Sequence, residues 1–127
     1  MSDLSTFNPT NVDALFDKLV QEVTGEAQDW WTDNKTLMTG YFRSLSEASL
    51  QTASALAEGR INEAQANRAF RSQKLAFEQT LEFSEFMTLV LAQRLLDAVF
   101  SVIGWVIFNR TGINLSPHLV SAPAGQA

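Results

Sequence analysis

The chain has 127 residues, 46% of them hydrophobic, with nine Phe, three Trp, a net charge of −5 and no Cys. That size and apolar content suit one packed domain and exclude a disordered chain. The acidic balance disfavours general attraction to nucleic acid or anionic lipid, and the lack of Cys excludes disulfides and thiolate metal sites. The opening stretch MSDLSTFNPTNVD has neither the basic nor the apolar region of a secretory signal, so synthesis without a signal peptide is expected.

Thr10 to Asp13 resemble a capping box, with the Thr10 hydroxyl accepting an orphan amide and Asp13 reaching back. The spacing of Val12, Leu15, Phe16, Leu19, Val20 and Val23 then predicts an amphipathic first helix with one continuous apolar face, stopped at Gly25. Leu15, Phe16 and Leu19 are the candidate protein-contact residues of that face. Residues 25–34 read as a polar connection holding Trp30 and Trp31. Adjacent aromatics on a helix point about 100° apart, so both are buried only at a junction of packed elements or in an oligomer interface. A lipid-interface anchor is the other reading.

Residues 35–58 read as a second helix, rich in Ala and Ser, closed by Gly59. Asn62 with Gln65 three residues on caps the next helix, so Glu58 to Ile61 is a tight turn between antiparallel helices. Between Asn62 and Phe108 there is no Pro and the one Gly is Gly104, so a third helix continuous over this span would be about 47 residues or roughly 70 Å long, its second half meeting lipid, a partner chain or a fold-back near Gly104. The fold expected is therefore all-α. It comprises an amphipathic first helix, then an antiparallel helical hairpin whose second helix is long and runs into an apolar segment of membrane-spanning length. Residues 1–10 are expected to be flexible, 11–85 to form the helical domain, 86–108 the hydrophobic helix and 109–127 a flexible tail.

The segment from Phe86 to Phe108 is long enough to cross a bilayer core. Its anchoring residues, to lipid or to a protein partner, are Phe86, Leu89, Leu95, Val99, Phe100, Val102, Ile103, Trp105, Val106 and Phe108. Arg94 and Asp97 interrupt it, at about 2.5 to 3.5 kcal/mol for each unpaired charge in lipid. Three apart on one helical face, they form either an intramembrane or inter-chain polar pair or the exposed stripe of a soluble bundle. Arg68, Arg71 and Lys74 precede the segment, which places the amino-terminal side in the cytoplasm if it inserts.

Little here names a reaction. The one His, His118, lies in the tail, which leaves no His-based nucleophilic site in the core. Glu78, Glu82 and Glu85 lack the Glu-x-x-His motifs of a helical metal pair and read as a solvated face. Neither cofactor nor metal is expected. Arg68, Arg71 and Lys74 sit toward a helix amino terminus, where the macrodipole disfavours cations. Phosphate or lipid head-group contact is one explanation, and salt bridging such as Lys74 with Glu78 is the other.

The run LAEGRINEA, followed by a long helix that becomes apolar, resembles small helical membrane-associated structural proteins of bacteriophages over residues 45–108. The resemblance implies a minor virion component between capsid shell and lipid, located in a virion or bacterial membrane. The leading expectation is thus a non-enzymatic, oligomeric structural protein anchored in or packed against a membrane. Its partners would be copies of itself, other assembly or capsid proteins and membrane lipid, with nucleic acid disfavoured. A soluble assembly chaperone or scaffold, its apolar helix buried in a protein partner, is the alternative. A pore-forming or ejected protein is the third.

Overall fold

The computed structural model describes residues 4–84 and 87–115, and the described residues are all-helical, without strands. They form α1 (Val12–Ala57), α2 (Glu63–Glu82) and α3 (Leu89–Thr111). Asn11, in extended backbone, caps α1 by accepting from the Ala14 amide at 2.8 Å, so the cap is Asn11 rather than Thr10.

Although α1 is 46 residues long, its backbone leaves helical geometry at Ala27 (φ −154°, ψ 73°). A straight helix would hold Asp13 and Arg43 about 45 Å apart. Their side chains instead meet at 2.7 Å, so the helix folds back into two antiparallel arms, 12–26 and 28–57. Gly25 therefore does not stop the first helix, and the connection expected over residues 25–34 is helical apart from Ala27. Reversal at a single residue leaves no run of breakers for the sequence to display. It also places Trp30 and Trp31 in the first turn of the second arm, 3% and 5% exposed.

Past Ala57, the amides of Arg60 and Ile61 both turn back to the Ala55 carbonyl, and Gly59 supplies the left-handed residue (φ 75°) this tight reversal needs. The capping box at Asn62 is formed in both directions, at 2.8 and 2.9 Å. From there α2 runs back along the second arm of α1: Ser49 meets Gln73 at 3.4 Å, and the Trp30 indole donates to Ser84 at 3.0 Å.

The third helix is not continuous to Phe108. α2 ends at Glu82, and α3 starts afresh at Leu89, capped by the Thr88 hydroxyl, which accepts from the Leu91 amide at 3.1 Å. Ser84 satisfies a frayed carbonyl by donating to Leu81 at 2.7 Å. Polar residues thus end one helix and begin the next without Gly or Pro, and Gly104, the breaker the sequence offers, lies buried inside α3.

Two contacts fix the direction of α3. Arg94 meets Glu26 at 3.2 Å near the reversal, and Arg110 meets Ser54 at 3.1 Å at the opposite end. α3 therefore lies antiparallel to the first arm and packs chiefly against α1. The four helical arms run up, down, up and down around one core. Phe70 and Phe100 stack edge-on at 5.5 Å, Phe77 lies 5.9 Å from Phe100, and Phe42 lies 5.7 Å from Phe77, which ties α1, α2 and α3 together.

Both ends of the described chain join this bundle. Leu4 is 9% exposed, and the Asn109 amide donates to the Leu4 and Phe7 carbonyls at 2.8 and 2.7 Å. In this segment Leu4 and Pro9 are buried and Phe7 half-buried, while Ser5, Thr6, Asn8 and Thr10 are exposed. At the far end Asn109 to Thr111 complete α3, Gly112 ends it in the left-handed conformation (φ 77°), and Leu115 is buried. The rest of the expected tail, His118 included, lies outside the described residues, as do Glu85 and Phe86.

Candidate functional site

α3 is the feature on which function turns. It is 23 residues long, with a mean hydropathy of 1.7 over its most apolar 18 residues, apolar and long enough to cross a membrane. Leu95, Val99, Phe100, Val102, Ile103 and Val106 are all fully buried within the chain. Trp105 and Phe108 are half-buried and meet edge-on at 5.7 Å. Leu89 is 88% exposed. The anchoring residues thus divide between the protein's own core and its surface.

Arg94 and Asp97 do not bond to one another. Arg94 reaches across to Glu26, with both side chains about half exposed, while Asp97 accepts from Gln93 at 3.1 Å. Gln93, Arg94 and Asp97 face solvent while the residues between and beyond them point inward. A helix so turned matches its polar stripe to water and its apolar sides to α1.

The candidate contact residues of the first helix also face inward. Leu15 and Leu19 are fully buried, and Phe16 lies beneath the Arg43 guanidinium, 4.4 Å from its ring centre. Trp30 and Trp31 are held at a junction: Trp30 by Ser84, Trp31 by stacking on Phe42 at 5.4 Å. These five residues are occupied by their own chain.

The open surface lies on α2 and at the corner joining it to α3. Arg68 and Arg71 are exposed and Lys74 is half-buried; among the described residues none of the three forms an ion pair, and Lys74 does not bridge to Glu78. Leu75 is 55% exposed, Phe83 84% and Val90 68%. No sequence pattern marks Phe83 or Val90 as different from the buried apolar residues around them. Their exposure follows from the break between α2 and α3.

Tyr41 stacks parallel on Phe77 at 5.7 Å, and burial pushes its hydroxyl up to about 12, against the pull of a hydrogen bond with Thr80. Among the described residues no group of His, Asp and Glu is placed to hold a metal ion. Neither a family model, a curated protein nor a solved structure matches the chain.

Proposed function

We propose that the chain is a non-enzymatic structural protein that works through protein contacts as an oligomeric assembly component, with α3 sheathed in its own bundle instead of set in lipid. One observation carries this reading: the charged stripe of α3 faces water while its apolar sides are turned onto α1. The resemblance of LAEGRINEA and its following helix to phage structural proteins supports a virion or assembly role. Because α3 is covered by its own chain, the scaffold reading does not require a partner to bury it. Arg68, Arg71 and Lys74 serve this role as contacts to protein partners.

Membrane anchoring is the second reading, favoured by the length and hydropathy of α3. It requires α3 to leave α1 and expose the faces of both. Flotation of the full-length protein with neutral and anionic vesicles, followed by carbonate extraction, separates the two. Recovery in the soluble fraction is expected. Retention with lipid through carbonate overturns the sheathed bundle in favour of the anchor.

A further inference from the structure

We propose that the exposed face of α2 is a homodimer interface, on which a second copy of the chain lays its own α2 antiparallel about a two-fold axis at Leu75. The proposal rests on the assembly reading above and names its surface. Arg68, Arg71, Leu75, Glu78 and Glu82 recur at steps of three and four residues, the spacing that keeps side chains on one seam of a helix. All five are exposed. Along the seam the charges run positive, positive, apolar, negative, negative.

That order is complementary to itself in one orientation only. With Leu75 facing Leu75 of the partner subunit, Arg68 stands opposite Glu82 of the partner subunit and Arg71 opposite Glu78 of the partner subunit. A parallel copy in register would set Arg against Arg and Glu against Glu, so the seam specifies orientation as well as contact. The antiparallel arrangement presents the same patch on both subunits, as a two-fold dimer requires.

Within a single chain the seam is unfavourable. Arg68 with Arg71, and Glu78 with Glu82, are like-charge neighbours on the helix. Glu82 occupies the last turn of the helix, against the macrodipole. Among the described residues, none of the four charges forms an ion pair. An antiparallel copy supplies opposite charges to each and sets the two helix dipoles head to tail. The inner face of α2 buries only Ala66, Phe70, Phe77 and Leu81, which leaves the seam open along its length.

The chain contains no Cys, so Leu75→Cys introduces a single thiol. Mild oxidation should cross-link this variant to a covalent dimer, while Leu37→Cys, on α1 at a parent exposure of 57% against 55% for Leu75, should not. Sedimentation should show Arg68→Glu weakening association by about tenfold or more. Arg68→Glu combined with Glu82→Arg should restore it, and salt should weaken the parent dimer. Cross-linking of Leu75→Cys no faster than Leu37→Cys, or a double reversal that stays dissociated, overturns the proposal. If the parent chain is still oligomeric by mass in that event, the surface is wrong and the assembly reading stands. A parent that is monomeric at every concentration overturns both.

Discussion

Tyr41 is the one tyrosine of the chain, so its ionisation can be followed by phenolate absorbance without assignment. Burial favours the neutral phenol and raises its folded value to about 12 from an ordinary 10. The stability this contributes is fully present below pH 10 and is lost as pH rises through 12, because the unfolded chain releases the proton first. The absorbance of the folded chain should rise near pH 12 instead of pH 10, and Tyr41→Phe should flatten stability between pH 10 and 12 while keeping the stack on Phe77. Other single residues were only partly legible. Arg94 and Asp97 are adjacent by spacing, yet Arg94 pairs with Glu26, a residue 68 positions away that nothing in the local sequence couples to it. The basic cluster of α2 is visible in the sequence. Its relation to Glu78 and Glu82 emerges only when the exposed face of the helix is known.

Among the elements, α3 gives the sharpest contrast. Val102 is fully buried and Val90 is 68% exposed, on the same helix. Val102→Arg places an unpaired charge in the core and should cost more than about 4 kcal/mol, whereas Val90→Arg should stay within about 0.5 kcal/mol, both read from urea unfolding. Where the sequence carried capping chemistry, the boundaries were readable: Asn62 with Gln65, and Gly59 before them. In the first arm, Leu15, Leu19 and Val23, spaced four apart, are fully buried. The reversal at Ala27 was not readable, because a single extended residue between two good helices leaves no compositional mark. Gly25 drew the boundary instead, and a helix tolerates one Gly for about 1 kcal/mol. The gap between α2 and α3 hid for a similar reason, with α2 ending at Phe83 and Ser84 and α3 capped by Thr88, all within an apolar neighbourhood.

For the molecule as a whole, the end of the bundle away from the Ala27 reversal is fastened by Arg110. Its guanidinium donates to Asn8, Ser54 and the Pro9 carbonyl, joining the amino-terminal segment, α1 and α3. Arg110→Ala should cost about 1.5 to 3 kcal/mol by calorimetry and speed amide exchange over residues 4–9. Arg43→Ala, removing an exposed pair, should cost less than about 1 kcal/mol.

α3 follows α1 and α2 in the chain, and it is also the helix against which α1 principally packs. The apolar faces of α1 are therefore synthesised before the helix that completes their cover. The nascent chain passes through a stage in which part of that surface is open, where premature pairing with other chains competes with closure. Termination before Leu95 would make that stage permanent.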